Sequence, residues 1–297
     1  MSEWKENVLY LNDDVAAQCS QLAQVYPFTA VHVIGHSVMG KPLIALRCGN
    51  GSKLIHINGA FHGNEWITSA LLMRFMNELC AAYAGAGSME ERQIENLCNE
   101  VTIWAVPMVN PDGAELAQCG VNPQHPLYNE LLQWNEGSQN FAGWKANIRG
   151  VDLNDQFPAF WQEECERRGV TQPSPQDYPG PYPLSEPEAA AIALLTDRIP
   201  FYSVAALHTQ GREIYWNYRG FEPPQSEAMA QRLGEASGYA PIKLSGSDAG
   251  YKDWFIKKYS RPGFTVEAGF GQTPLPLDQF EDIYSELKPL LLELIQL

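Results

Sequence analysis

A strand-like pattern gives way to a helix-like pattern within the stretch Lys53-Leu-Ile-His-Ile-Asn-Gly-Ala-Phe-His-Gly-Asn-Glu-Trp66. Its first part, residues 53–60, alternates and is rich in β-branched residues, which predicts a strand. From residue 65 to residue 83 the apolar side chains recur at helical spacing, which predicts a helix. His62 and Glu65 therefore follow the carboxyl end of a strand, where open α/β sheets usually bind ligands.

The rest of the chain repeats this alternation of strands and helices. Further strands are predicted at 31–36, 42–48, 101–106, 201–207 and 263–267, and helices at 13–25 (with Asn12 as a candidate cap) and 278–297, the latter with a break or kink near Pro289. Residues 171–187 contain six prolines and are predicted to be a rigid surface loop. The following Ser185-Glu-Pro-Glu188 is typical of a capping box that opens a helix. With no internal repeat and no flexible linker, the pattern predicts one α/β domain over residues 1–297.

Composition limits the class of protein. The chain has 297 residues, 45% of them hydrophobic and 19% charged, enough to bury one large core. No run of about 18 apolar residues is present, so no membrane span is expected. The first residues lack the basic and apolar segments of a secretory signal, which favours a cytoplasmic location, although a removed leader would leave the same picture. The six cysteines are scattered with no Cys-x-x-Cys pair, so they are expected to be reduced.

The net charge of −15 argues against nucleic acid and anionic membrane surfaces as partners. It also means that an anionic substrate would need locally placed cations. Nothing in the sequence predicts the oligomeric state.

A third candidate ligand strengthens the weak signal of His62 and Glu65. His208 lies in Ala205-Ala-Leu-His-Thr-Gln-Gly211, again directly after an apolar strand. Side chains at the ends of neighbouring strands can converge on one side of a sheet, and two imidazoles with one carboxylate leave a coordination position open, as catalytic zinc sites do. The alternative is that both histidines are ordinary loop residues.

Glu267 closes the apolar strand Gly263–Glu267. A carboxylate in such a place is costly without a partner. Beside a metal it could serve as the general base, taking a proton from the attacking water and passing it to the leaving amine, a contribution of about 10²- to 10⁴-fold. The alternative is a capped or ion-paired glutamate at a strand end.

These pieces, in this order, resemble the zinc metallocarboxypeptidase family. The matching strings are HGNEWITSALL at 62–72, PMVNPDG at 107–113, GVDLN at 150–154, PLSEPEA at 183–189, LHTQG at 207–211 and FTVEAGFG at 264–271. The resemblance implies one α/β domain with a mixed, mostly eight-stranded sheet flanked by helices on both faces. It also implies one zinc ion held by His62, Glu65 and His208, with Glu267 as the general base.

The resemblance further implies a cation that polarises the scissile carbonyl and stabilises its oxyanion. Arg149, in Trp144-Lys-Ala-Asn-Ile-Arg149, lies near the place where the family keeps an arginine. The alignment is loose there, so Lys145 stays an alternative. A donor at such a point contributes about 10²- to 10³-fold in rate.

One departure from the family affects substrate choice. Ordinary carboxypeptidases carry an arginine after GVD-x-N, and it grips the C-terminal carboxylate of the substrate in a bidentate pair. Here Asn154 is followed by Asp155, which would repel a carboxylate and suits an ammonium group. The subgroup that looks most similar is that of the bacterial γ-D-glutamyl-diamino acid peptidases, which cut the bond between γ-D-glutamate and meso-diaminopimelate in cell-wall peptides.

In that subgroup the distal centre of the substrate carries an ammonium and a carboxylate. Asn154 and Asp155 are therefore candidate substrate contacts, with Lys252 and Arg212 as candidate partners of a carboxylate. Tyr251, and with it Tyr215 and Trp216, is a candidate pocket wall, although aromatic residues at such positions are as often core.

The sequence thus favours a zinc peptidase that acts on peptidoglycan-derived peptides. Three alternatives stay open: a carboxypeptidase with ordinary peptide substrates, a related zinc deacylase of N-acyl amino acids, and a binding module without activity. Asp155 speaks against the first. The SEPE and HTQG strings are not expected in the second, and the complete set of candidate ligands with Glu267 speaks against the third.

Overall fold

A single mixed sheet forms the centre of the molecule. The computed structural model describes residues 9–85 and 97–297, so residues 1–8, on which the expectation about a leader partly rests, lie outside it. In chain order the strands are β1 (Thr29–His36), β2 (Pro42–Cys48), β3 (Lys53–Gly59), β4 (Val101–Val106), β5 (Ser203–His208), β6 (Glu213–Tyr215), β7 (Ala240–Ile242) and β8 (Gly263–Glu267). They lie in the order β1-β2-β4-β3-β5-β8-β6-β7, which confirms the eight-stranded sheet implied by the resemblance.

Helices cover both faces of this sheet. They are α1 (Asn12–Val25), α2 (Ile67–Tyr83), α3 (Pro111–Cys119), α4 (Tyr128–Trp134), α5 (Trp161–Arg168), α6 (Pro187–Arg198), α7 (Ser226–Ser237), α8 (Tyr251–Tyr259) and α9 (Phe280–Gln296). Short 3₁₀ turns occur at Gly63–Glu65, Leu153–Asp155 and Leu277–Gln279. Side chains from α1, α2, α7 and α9 pack in the core on one face, and those from α6 and α8 pack in the core on the other.

The central strands run parallel and end on the same side. β3 pairs in parallel with β4 and β5, and β5 pairs in parallel with β8. The outer pairs β1–β2, β2–β4 and β6–β8 are antiparallel. The carboxyl ends of β3, β5 and β8 therefore lie side by side, and this edge carries the candidate metal ligands and Glu267.

Most of the predicted elements are present within a residue or two of their expected limits. Two local predictions are wrong. The residue before α6 is Glu186, which makes no side-chain cap, because Ser185 bonds to Gln156 and the carboxylate of Glu188 accepts the amide of Val38. The predicted break near Pro289 is absent, because the C-terminal helix α9 continues through that residue, and the alternative of a kink there stays a prediction.

The structure also bears on the predictions about the cysteines and about membrane spans. All six cysteines are free, and Cys19, Cys48, Cys80 and Cys98 are buried, as expected for reduced thiols packed mostly inside. Among the described helices, none combines the length and the apolar character that crossing a bilayer requires.

Candidate metal centre and active site

Three predicted ligands meet at the carboxyl ends of β3 and β5. His62 Nδ1 lies 2.8 Å from Glu65 Oε1, His208 Nδ1 lies 3.0 Å from Glu65 Oε2, and the two Nδ1 atoms are 3.3 Å apart. All three residues are buried. The 3₁₀ turn Gly63–Glu65 brings Glu65 back beside His62, and the pairing of β3 with β5 brings in His208 from a point 143 residues further along the chain.

The spacing of these donor atoms suits a zinc ion. Two ligand atoms bonded to zinc at ~2.1 Å in a tetrahedral arrangement lie roughly 3.4 Å apart. The distance between the two Nδ1 atoms is 3.3 Å, and both imidazoles approach the same carboxylate. Two nitrogens and one carboxylate are a donor set that zinc prefers. The residues therefore fit the metal that the sequence predicts.

Asp152 supports His62 from the side away from Glu65. Its Oδ1 lies 3.2 Å from His62 Nε2, an arrangement that fixes the ring orientation and the tautomer of a metal-binding histidine. Burial alone would lower the pKa of His62, but the carboxylates of Glu65 and Asp152 raise it to about 10. The same contact holds the pKa of Asp152 well below its usual range in spite of burial. Both shifts result from the attraction between the His62 ring and the carboxylate of Asp152.

Close backbone packing fixes the loop that carries His62. Asn110 Nδ2 donates to the carbonyls of Phe61 and Ala146, each at 3.1 Å, and the amide of Gly63 donates to Lys145 O at 2.8 Å. A Cβ on Gly63 would lie 2.5 Å from the backbone of Gly113. Only glycine fits there, so the Asn-Pro-Asp-Gly turn at 110–113 serves to lock the metal loop.

Glu267 ends β8 directly beside the cluster. It pairs with His208 across the sheet and is partly exposed to the cleft. Burial of its carboxyl, and then the negative charge of Glu65, raise the pKa of Glu267 to about 8. A carboxyl with a pKa near neutrality can both accept and release a proton at physiological pH, which is what a general base and acid needs.

The structure separates the two candidates for the oxyanion cation. Arg149 is exposed, and its Nη1 lies 3.6 Å from Glu186, away from the metal cluster. Lys145 is partly exposed at the cluster. Burial alone would lower the pKa of Lys145, but the carboxylates of Glu65, Asp152, Asp177 and Glu267 raise it. The charge of Lys145 thus interacts with the carboxylates of the cluster, whereas the guanidinium of Arg149 contacts Glu186.

Asp155 lies under the cleft but is already paired. It is 2% exposed, and its Oδ2 lies 3.1 Å from Nε of Arg168 in α5. The same guanidinium contacts Glu164 at 2.7 Å and Asp177 at 2.9 Å. Burial, and then the nearby Asp152, raise the pKa of Asp155 to about 7, although Arg168 opposes this. The prediction that Asp155 is free to receive a substrate ammonium does not agree with this arrangement.

The two predicted carboxylate partners are occupied as well. Lys252 is 4% exposed, donates to Asn217 O at 2.8 Å and forms an ion pair with Asp253. Arg212 turns its guanidinium outward to Glu286, and only its backbone amide reaches the active-site strand, at 2.8 Å from Glu267 O. Lys252 lies on the pocket side of the sheet, whereas the Arg212 side chain does not.

The remaining pocket residues divide between core and cleft. Tyr251 is fully buried, with its hydroxyl 3.0 Å from Thr196 Oγ1 and its ring packed on Phe157, so it belongs to the core. Trp216 is buried in the core on the opposite face of the sheet. Tyr215 is partly exposed on the cleft face. Asn154 is also partly exposed, with its side chain beside Gly250.

The sequence reasoning gave no role to Asp152, Asn110 or Glu213, which the structure places at or beside the site. Asp152 lies inside the GVDLN string and Asn110 inside PMVNPDG, so the motifs contained the signal. Glu213 had no such signal, because the three-residue strand β6 is too short for its face to be predicted from periodicity.

Comparisons with known proteins give a consistent result. A family model described as zinc carboxypeptidase, of the M14 peptidases, matches residues 15–283. The chain is 48% identical over 266 residues to γ-D-glutamyl-L-diamino acid endopeptidase 1 of Lysinibacillus sphaericus, covering 90% of this chain and 67% of that protein. It is 40% identical over 285 residues to the uncharacterized protein YqgT of Bacillus subtilis (strain 168), covering 95% of this chain and 76% of that protein.

The fold is shared with solved structures of much lower identity. Thrombin activatable fibrinolysis inhibitor superposes with a TM-score of 0.77 at 19% identity, covering 98% of this chain and 74% of the other. At that identity the likeness shows the arrangement of sheet and helices alone.

Proposed function

The chain belongs to the zinc carboxypeptidase family and is a metallopeptidase, and from that premise we propose that it hydrolyses the bond between a γ-D-glutamyl residue and a diamino acid, such as meso-diaminopimelate, in peptidoglycan-derived peptides. The observation that carries the peptidase chemistry is the convergence of His62, Glu65 and His208 beside Glu267. The γ-D-glutamyl substrate is supported by the name of the relative with 48% identity.

One zinc ion would be held by His62 Nδ1, the carboxylate of Glu65 and His208 Nδ1. When bound, zinc polarises a carbonyl and makes water more acidic. Asp152 orients His62 for this task through its contact with Nε2. The number of ions and the role of each ligand are part of the proposal.

Glu267 moves the proton in this scheme. Its carboxylate accepts a proton from the attacking water and then donates it to the nitrogen of the leaving amine. It pairs with His208 across the sheet, and its raised pKa makes its carboxylate a stronger acceptor of the proton in the first transfer.

Lys145 supplies the positive charge for the oxyanion. Its ammonium interacts electrostatically with Glu65 and Glu267, which supports a role in stabilising the negative charge that develops on the carbonyl oxygen. We give this role to Lys145 and not to Arg149, because the guanidinium of Arg149 is turned toward Glu186.

The leaving side of the cleft differs from that of an ordinary carboxypeptidase at the position after Asn154. The position after Asn154 is an aspartate that holds Arg168 in a network with Glu164 and Asp177. A C-terminal carboxylate entering this corner would meet more negative charge than positive. This favours a leaving group with an ammonium over an ordinary C-terminal residue. Asn154, which is partly exposed, stays a candidate contact for the polar groups of that residue.

The test is mass spectrometry of the products from L-Ala-γ-D-Glu-meso-diaminopimelate, with zinc-loaded wild type and Glu267→Gln side by side. We expect free diaminopimelate from the wild type, and a rate about 10²- to 10⁴-fold lower from the variant. The zinc content of both proteins serves as the control, since Glu267 is not a proposed ligand. Intact γ-D-glutamyl peptide together with C-terminal trimming of ordinary peptides would reverse the proposal and make the chain a carboxypeptidase.

The cytoplasmic location predicted from the sequence stays a prediction. Fractionation of cells followed by detection of the chain with an antibody would test it.

A further inference from the structure

Glu213 is a carboxylate on the cleft face that the catalytic scheme does not use. It begins β6 and pairs directly with Glu267 across the antiparallel β6–β8 ladder. Cross-strand partners point to the same face of a sheet, with Cβ atoms about 5 Å apart. Tyr215, two residues further, pairs with Thr265 and shares that face. Glu213 and Tyr215 therefore form a wall of the cleft next to the general base.

Among the described residues, Glu213 has no cationic partner. Carboxylates directly opposite each other on neighbouring strands are destabilising. Within residues 9–85 and 97–297 no ion pair of Glu213 occurs, since Arg212 beside it pairs with Glu286 and Lys243 lies over the ring of Trp216. Glu213 is thus available, next to Glu267, to pair with a cation that comes from outside the chain.

The carboxylate of Glu213 is also oriented and reachable. The Tyr215 hydroxyl donates to its Oε2, which leaves Oε1 free, and the side chain lies along Gly211, 3.5 Å from the place of a Cβ there. Glu213 and Tyr215 are both partly exposed. Asp155, by contrast, is 2% exposed and already holds Arg168.

We propose that Glu213, held by Tyr215, binds the side-chain ammonium of the leaving diamino acid. This inference rests on the proposed function and adds to it the residue that selects a diamino acid. The main-chain amine of the leaving residue is the one that Glu267 protonates. Its side-chain ammonium, a few carbon atoms away, would then reach the neighbouring strand, where Glu213 stands opposite Glu267.

The experiment compares two substrates that differ by one ammonium group. L-Ala-γ-D-Glu-meso-2,6-diaminopimelate and L-Ala-γ-D-Glu-L-2-aminopimelate are each given to the zinc-loaded wild type and to Glu213→Gln. We expect the ratio of the two kcat/KM values to favour diaminopimelate in the wild type and to fall about 10- to 100-fold in the variant, the loss of one charge-assisted hydrogen bond.

Two further variants test whether the effect of Glu213→Gln comes from the oriented carboxylate and not from the loss of any one negative charge. Tyr215→Phe removes only the hydrogen bond that orients Glu213, so the same ratio should fall by about 2- to 10-fold. Glu227→Gln changes an exposed carboxylate of α7 outside the cleft and should keep the wild-type ratio.

Three results would overturn the assignment. An equal fall in kcat/KM for both peptides in Glu213→Gln would show that Glu213 acts through Glu267 and not on the ammonium. An unchanged ratio would show that the ammonium binds elsewhere. No cleavage of either peptide by the zinc-loaded wild type would overturn the proposed function itself, and this result is recognised without any variant.

Discussion

The two sides of the active-site cleft are held together by different forces. On the metal side, backbone groups pack against one another with no spare room, as where Gly63 meets Gly113 and where Asn110 bridges two loops. On the leaving side, ion pairs such as Arg168 with Asp155 and Arg219 with Asp248 join the elements. Close packing fixes one geometry, whereas charge pairs can be rearranged without moving the backbone. The metal centre can thus stay constant while the pocket changes its substrate.

The largest expected effect sharpens this comparison, because it concerns Lys145, the lysine that interacts with the carboxylates of the metal side. Lys145→Ala should lower kcat by about 10²- to 10³-fold, the cost of losing an oxyanion donor, with a smaller change in KM. Arg149→Ala, four residues further, should lower kcat far less, since its guanidinium faces Glu186. Steady-state kinetics on the γ-D-glutamyl peptide checks both variants, and the opposite order would return the role to Arg149.

The next effect tests the close packing itself. In Gly113→Ala the new Cβ would lie 2.5 Å from the backbone oxygen of Ala146 and 2.5 Å from the side-chain Nδ2 of Asn110. The backbone of Ala146 and the hydrogen-bonded side chain of Asn110 can move little away from the new Cβ. The free energy of unfolding should therefore fall by about 3 kcal/mol.

Gly143→Ala is the matched control for this test, because a Cβ there meets nothing within 4 Å. Urea unfolding of both variants measures the difference. Equal stability of the two would mean that the metal loop is not packed as tightly as the distances indicate.

The smallest effect concerns the leaving side. Arg168→Met removes the guanidinium that contacts Asp155, Glu164 and Asp177 but keeps much of the apolar stem. Because the guanidinium is about a third exposed, screening by solvent reduces the loss to about 1–2 kcal/mol.

The salt dependence of stability should distinguish the loss in Arg168→Met from the loss in Gly113→Ala. Moderate salt should shrink the stability difference between wild type and Arg168→Met, and leave that between wild type and Gly113→Ala almost unchanged. Urea unfolding at about 0.05 M and 0.5 M salt is the measurement. The same salt response in both variants would break the distinction between the two sides.

The sequence predicts the metal side far better than the leaving side. His62 and Glu65 follow the apolar strand β3 and His208 ends the apolar strand β5. Parallel strands bring such ends together, so periodicity made a convergence of these residues possible, and the resemblance to the family singled them out as ligands. Asp155 and Arg168 are joined only in three dimensions, and nothing in the string at 154–157 shows that an arginine from α5 occupies the aspartate. Glu213 lies opposite Glu267 only because of the register of β6. This strand has three residues, too few to show a periodic pattern in the sequence.

The order of the strands also has a consequence for how the chain becomes active during synthesis. β8 is made last of the eight, yet it lies between β5 and β6. Until residues 263–267 have left the ribosome, β6 and β7 have no ladder that joins them to the rest of the sheet, and β5 presents an open edge. β8 joins the two parts by pairing with β5 on one side and with β6 on the other. The completion of the sheet and the placement of Glu267 beside His208 therefore depend on the same late segment of the chain.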